Sequence, residues 1–384
     1  MLSKLFPKRN PTYLDRLTPF EQIWTQVNEL QNPMSTSWWF FLLLPEGDNG
    51  YGPEQMMFTY ASRTGKAYGV NHQWQKGMKL DREIDKFKDS FMTTAAGWIF
   101  DGKDMHDGLV LEPVEAHMNF GEIHAWDTSN GKKLGASIVA GDSDKEELKV
   151  NFQGKNGYAK FKVWSTSEKE YEKLRISDKR WKLISYHTVA TRMFRFEGEF
   201  KTPSGTFKRK GMCYFQRVCT NLPLMPWFWN YTVFQNHSIF SGFQPYIGLQ
   251  LFRKRNWFLP GWLERATLPL FKEAYYTDPA TGETTPFKNL RVIPLFDRGK
   301  YPWFQITATN KQNDYFKILY SSHGHTQFLL DHAILNQFRI SRFNYNEYML
   351  KVEKMKAKIG GTELKLEEIG PGYGNMEYTW GLGW

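Results

Sequence analysis

The chain has 384 residues, a formal charge of +10, and 41% apolar and 17% aromatic side chains. That length holds two ordinary domains or one large all-β unit. With 15 Trp, 19 Tyr, 30 Phe, 31 Gly and 18 Pro, the composition favours strands and turns and excludes a helical bundle, which needs long periodic runs of Ala, Leu and Glu.

The start, "MLSKLFPKRNP", carries Lys4, Lys8 and Arg9 and no apolar core of the kind a secretion signal needs. Residues 12–31 then predict a short N-terminal helix. Thr18 is placed to cap it, Pro19 stands in its first turn, and Glu21 follows three residues after the cap. Phe20, Ile23, Trp24 and Val27 recur at helical spacing, and Pro33 ends the run.

"WWFFLLLP", residues 38–45, is an apolar run closed at once by Pro45 and "EGDNG". It is far shorter than the roughly 18 residues of a spanning helix, and no longer apolar run occurs elsewhere. As a strand it sets Trp38, Phe40, Leu42 and Leu44 on one face and Trp39, Phe41 and Leu43 on the other. Both faces are apolar, so both are expected to be covered, one by the strand's own barrel and one by a helix or a neighbouring barrel.

Strand segments continue through the first half, with strict alternation in "ELKVNF" (147–152) and "YAKFKVW" (158–164). Turns are marked by "DG" at 101–102, "NG" at 130–131 and "GKNG" at 154–157. Lysines interleave with aromatics at 158–164, a pattern that can bind single-stranded nucleic acid. Simple strand alternation accounts for it, and no nucleic-acid motif accompanies the basic balance, so no nucleic-acid partner is expected.

The second half repeats the style, ending in the hairpin "YMLKVEKMKAKIGGTELKLEEIG" with Gly360 and Gly361 at its turn. "KTPSGTF", residues 201–207, is a plausible domain junction. Many antiparallel strands without βαβ units predict an all-β chain. The expected division is a helical extension over 1–34, a first barrel over 35–203 and a second over 204–384. Cys213 and Cys219 lie six positions apart, roughly 20 Å along a strand, too far for a disulfide. Their spacing is not that of a metal site. Two free thiols fit a reducing, cytoplasmic compartment.

The richest polar stretch is "LEPVEAHMNFGEIHAWD", residues 111–127. In extended form Glu115, His117 and Asn119 share a face, and after Gly121 so do Glu122, His124 and Trp126. If that face lines a cavity, it offers carboxylic acids and imidazoles to a ligand; if it faces water, it is a solvated wall. The block at 223–248 packs Trp227, Trp229 and Tyr231 around Asn236, His237 and Gln244. It reads either as core or as an apolar pocket with a few orienting polar groups. A protonated acid held among aromatic rings could protonate an alkene, and water could then capture the cation.

Two stretches resemble a known group. "STSWWFFLLLPEGDNGYGPEQMMFTYASR" is similar to the opening strands of the AttH-like and carotenoid 1,2-hydratase-like proteins, with matches at Trp38, Trp39, Phe40 and Arg63. "GPGYGNMEYTWGLG" resembles their closing strand through Gly372, Tyr373, Glu377, Thr379 and Gly381, while Gly374 and Asn375 alter the spacing. The resemblance implies a calycin-type fold, two lipocalin-like antiparallel β-barrels side by side, and relatives that add water to carotenoid isoprenoid ends. More distant relatives cyclise tocopherol precursors or fungal polyenes. "FKEAYYTDPATG" departs from the hydratases' segment, and no catalytic pair carries over residue by residue.

The functional expectation is cofactor-independent acid chemistry on an alkene-bearing isoprenoid or lipid: hydration, isomerisation or cyclisation. Glu115 or Glu122 would be the acid, and His117, His124 or His237 would orient it or act as base. Trp38, Trp39, Trp126, Trp227, Trp229, Tyr231, Asn236 and Gln244 would line the pocket. No metal or other cofactor is required. The alternative is a carrier that binds a hydrophobic ligand without turning it over; an assembly role is a third reading. An enzyme needs a titratable group inside the apolar pocket, whereas a carrier does not. "RKRNWFLPGW", residues 253–262, could also rest on an anionic membrane surface.

Overall fold

Alternation and Gly turns build strands in both halves of the chain. The computed structural model describes residues 13–27, 35–79, 85, 87–127, 133–166, 172–180, 185–221, 226–248, 267–333 and 341–383. The first half contains β1 (Thr36–Gly47), β2 (Gly50–Tyr51), β3 (Gln55–Arg63), β4 (Ala67–Val70), β5 (Gln73–Lys76), β6 (Asp89–Phe100) and β7 (Met105–Asn119). It continues with β8 (Glu122–Asp127), β9 (Leu134–Ala140), β10 (Leu148–Gln153), β11 (Tyr158–Trp164), β12 (Arg175–Arg180), β13 (Ser185–Thr202) and β14 (Gly205–Thr220).

Ten of these strands close into one antiparallel barrel, in the order β1, β3, β6, β7, β8, β9, β10, β11, β13, β14 and back to β1. Closure is made where Tyr158–Trp164 pairs with Arg195–Lys201. The barrel is filled by its own inward side chains, among them Phe41, Phe58, Phe152, Phe161, Phe200 and Phe215. Ring centroids there lie 4.9 to 6.3 Å apart, as in packed aromatic cores.

The helix expected over 12–31 is a single turn, α1 (Pro19–Gln22), after a 3₁₀ turn at Tyr13–Arg16; residues 28–31 lie outside the described residues. The cap itself forms: the Glu21 N–H donates to Thr18 Oγ1 at 3.2 Å, and the Thr18 N–H to Glu21 Oε2 at 2.7 Å. Beyond it, Ile23 and Trp24 are fully buried and belong to the barrel core. The Arg217 guanidinium takes the Thr25 carbonyl at 3.3 Å, an acceptor that a continuing helix would use for itself. Arg217 also lies 3.7 Å from the Trp39 ring and donates to Ser37 Oγ at 2.7 Å and Gln26 Oε1 at 3.3 Å. The segment is thereby tied across one end of the barrel by tertiary bonds.

The second half contains β15 (Trp227–Phe234), β16 (Ile239–Gly248), β17 (Thr267–Pro269), β18 (Glu273–Thr277), β19 (Thr284–Phe287) and β20 (Asn289–Leu295). It ends with β21 (Trp303–Thr309), β22 (Tyr315–Ala333), β23 (Ser341–Ile359), β24 (Thr362–Leu364), the single-turn α2 (Leu366–Ile369) and β25 (Gly372–Gly383). Their order is β19-β18-β16-β15-β25-β23-β22-β21-β20, with β4 pairing onto β22. This sheet does not close. The expectation of two lipocalin-like barrels is therefore corrected to one closed barrel and one open sheet. The reason is local: only Lys288 separates β19 from β20, the two ends of the sheet. One residue is too short for a hairpin, so the chain turns a corner where a second barrel would need its closing ladder. The expected turn at Gly360–Gly361 is present, with φ of 56° and 85°.

Strand β1 is covered on both sides. Trp39, Phe41 and Leu43 enter the barrel core, while Phe40, Leu42 and Leu44 join a second core between the barrel and the open sheet. That interfacial core includes Met57, Trp98 and Phe100 from the barrel wall and Trp229, Tyr231, Phe328 and Met349 from the sheet. Phe40 meets Trp229 edge-on at 5.9 Å, and Tyr214 lies 5.0 Å from both Trp229 and Tyr231. The other face of the open sheet has its own core, including Phe228, Tyr246, Phe304, Phe316 and Tyr378. Cys213 and Cys219 are both free and buried.

Candidate active site

Alternation along β15, β23 and β25 decides what meets the barrel. Odd-numbered residues, from Trp227 to Val233, from Tyr345 to Met349 and from Tyr373 to Glu377, face the interfacial core. The register places Glu347 of β23 directly opposite Glu377 of β25, with Trp229 and Thr326 as their outer neighbours in the same row. Two carboxyl groups are thus held side by side in an aromatic core; Glu347 is 0% and Glu377 6% exposed.

Their surroundings differ. Glu377 accepts from the Trp227 indole N–H at 2.6 Å on Oε2 and from the Tyr345 hydroxyl at 2.7 Å on Oε1. Both its oxygens are engaged by donors, the pattern that supports a carboxylate. Burial still pushes its pKa up to about 7. Glu347 accepts from Asn375 Nδ2 at 3.2 Å on Oε2, with the Tyr345 hydroxyl and the Trp98 indole beside it. Burial first, and then the neighbouring Glu377 charge, raise its pKa well above the usual carboxylate range. Hydrogen bonding from Tyr345, from the Trp98 indole N–H of the barrel wall and from Asn375 offsets part of that rise. The pair therefore sets Glu347, which burial and its neighbour's charge bias toward the neutral acid, next to Glu377, which can ionise near neutrality.

The residues singled out in the sequence distribute as follows. Glu115 and His117 are exposed on the outer barrel wall, both bonded to Ser90 Oγ, at 2.7 and 3.2 Å. Glu122 and His124, 3.1 Å apart, are each more than two-fifths exposed. His117 and His124 stand opposite each other in the register, so the strand does gather these groups, but toward water. Trp126 is half-buried on the same wall with Lys133 Nζ 4.4 Å from its ring. His237, with φ of 66°, sits in the β15–β16 turn, its Nδ1 2.9 Å from the Tyr51 hydroxyl and its Nε2 3.7 Å from Glu46. Asn236 accepts from the Ser238 N–H and hydroxyl and shapes that turn.

Trp38, Trp227, Trp229 and Tyr231 belong to the interfacial core, and Trp227 touches the carboxyl pair directly. Trp39 lies inside the barrel under Arg217, and Gln244 is buried on the far face of the open sheet beside Phe228. Glu347, Tyr345 and Trp98 were not singled out, and Asn375 was noted only for altering the closing-strand spacing. Glu377 stood in the closing-strand pattern but was not given a role. Segment 253–262, for which a membrane contact was expected, lies outside the described residues. Among the described residues no helix is long and apolar enough to cross a membrane.

One closed barrel thus packs through an aromatic, acid-bearing interface onto an open antiparallel sheet. The chain superposes on the crystal structure of an AttH protein from Nitrosomonas europaea with a TM-score of 0.54 at 12% identity, covering 98% of this chain and 99% of that one. Kievitone hydratase from Nectria haematococca aligns with a TM-score of 0.45 at 11% identity, over 93% of this chain and 94% of that one. The likeness to an AttH protein expected from the two ends of the chain is found in the fold, whereas the two closed barrels expected with it are not. No protein-family model matches the chain, and no curated protein matches it significantly.

Proposed function

We propose that the interface between barrel and open sheet takes up a hydrophobic small molecule and that Glu347 and Glu377 carry out acid-type chemistry on it. Glu347 gives its proton to an alkene carbon; the π electrons form the new C–H bond, and the cation left behind faces the rings of Trp227, Trp229 and Tyr214. In a hydration, water adds to the cation and Glu377 takes the proton that water releases. In an isomerisation, Glu377 takes a proton from the neighbouring carbon. In a cyclisation, a second double bond captures the cation first. Each route balances without an oxidant or reductant. The observation that supports this reading is the carboxyl pair buried side by side among aromatic side chains.

An alkene-bearing isoprenoid is the substrate class proposed. Incubation of the protein with such an isoprenoid in D₂O, followed by mass spectrometry, is expected to show deuterium incorporation that Glu347→Gln abolishes. Incorporation that survives E347Q would remove the acid from the proposal. The carrier reading differs on this point: organic extracts of wild type and E347Q would contain the same ligand, with no deuterium in either.

A further inference from the structure

We propose that the outer barrel face formed by β9, β10, β11, β13 and β14 docks on a membrane surface rich in anionic lipid. The strand register sets out two rows on that face. One runs Val139, Lys149, Lys162, Glu197, Lys210; the next runs Ser137, Asn151, Lys160, Glu199, Lys208. Strands lie about 4.8 Å apart, so five ammonium groups occupy a patch only a few strands wide. They surround an open recess of about 990 Å³.

The two carboxylates do not neutralise the patch. Glu197 is engaged by Lys162 at 2.9 Å, and Glu199 accepts from the Tyr158 hydroxyl at 2.7 Å. Lys149, Lys160, Lys208 and Lys210 are exposed, and none has a carboxylate partner among the described residues. Like charges gathered on one face repel one another, and a partner of opposite charge relieves that repulsion.

Two observations choose a lipid surface over a single-stranded nucleic acid. Stacking of bases needs free ring faces, but Lys160 and Lys162 already sit 5.1 Å from the Tyr158 and Trp164 ring centroids. Lys149, Lys208 and Lys210 are exposed beside these ring-bound ammonium groups, and long basic side chains of this kind reach headgroup phosphates. Each basic group near an anionic leaflet strengthens binding about fivefold, so a net charge of three is worth roughly a hundredfold. The surface lies on the barrel, away from the carboxyl pair, and does not depend on the chemistry proposed there.

The test is sedimentation of the full chain with vesicles of phosphatidylcholine alone and of phosphatidylcholine mixed with phosphatidylglycerol. Binding is expected only to the mixed vesicles and is expected to be lost in high salt. The variant K149E/K160E/K208E/K210E should lower binding by a hundredfold or more, while K317E/K354E/K356E/K358E, an equal charge change on the open sheet, should leave it nearly intact. E347Q should bind vesicles as wild type does, which separates this inference from the catalytic one. No sedimentation with mixed vesicles, or equal loss in the two quadruple variants, overturns the proposal.

Discussion

Two strand pairs in this chain gather carboxylates by the same device and to opposite effect. In β7 and β8, alternation aims Glu115, His117, Glu122 and His124 outward from the barrel, where water solvates them. In β23 and β25, the same alternation aims Glu347 and Glu377 at the barrel wall, where Trp98, Trp227 and Tyr345 surround them. Spacing sets which residues share a face; what covers that face sets whether they are a solvated surface or a buried acid. The second pair has the raised titration that acid chemistry requires.

Substitutions that strip one pair and spare the other sharpen this contrast. The largest effect is expected from Glu377→Ala, which leaves the Trp227 N–H and the Tyr345 hydroxyl buried without their acceptor. A loss of about 4 kcal/mol is expected in denaturant unfolding, at about 1–3 kcal/mol per stranded group. If the loss were below about 1 kcal/mol, the pair would be solvated after all.

Next comes pH. The folded pKa of Glu377, about 7, lies above its ordinary value of 4.5, so the folded state holds this proton longer than the unfolded chain does. The stability it contributes is complete below the unfolded pKa and is lost as pH rises toward 7. Between those values the loss is about 3 kcal/mol. Glu347, raised in the same direction, extends the fall to higher pH. Subtracting the unfolding curve of Glu377→Gln from that of wild type isolates the Glu377 contribution, and a difference that rises with pH would have the wrong sign.

Trp227→Phe keeps the ring and removes one charge-assisted bond to Glu377, so a loss of about 2 kcal/mol is expected, with the Glu377 titration displaced upward. The smallest effects belong to the outer wall. Glu115→Gln and His117→Ala are each expected to change stability by less than about 0.5 kcal/mol and to leave deuterium incorporation untouched. A large loss of incorporation in either would return the chemistry to the barrel's outer wall.

Much of the architecture was legible. "WWFFLLLP" has two apolar faces, and both are covered, one by the barrel core and one by the interfacial core. The Thr18–Glu21 cap and the Gly360–Gly361 turn are local, and both form. The failure of the second half to close is not visible in strand patterning, because it turns on the single-residue link at Lys288. The carboxyl pair was harder still. Glu347 and Glu377 stand far apart in the chain and become neighbours only through the β23–β25 register. One signal was present: "NYNEYML" sets Glu347 on a face with Tyr345 and Met349, an acid between apolar neighbours, unlike the water-facing run of Glu115 and His117. Trp227 and Trp229 were reached from sequence because aromatic density itself marked the interface.

The account rests on Glu347 being a neutral carboxylic acid at pH 7. Infrared difference spectroscopy of wild type against E347Q reads this directly. A protonated-carboxyl C=O stretch present at neutral pH in wild type and missing in E347Q is the expected result. A spectrum in which E347Q loses only a carboxylate band would show Glu347 ionised, and the acid at the centre of this account would not exist.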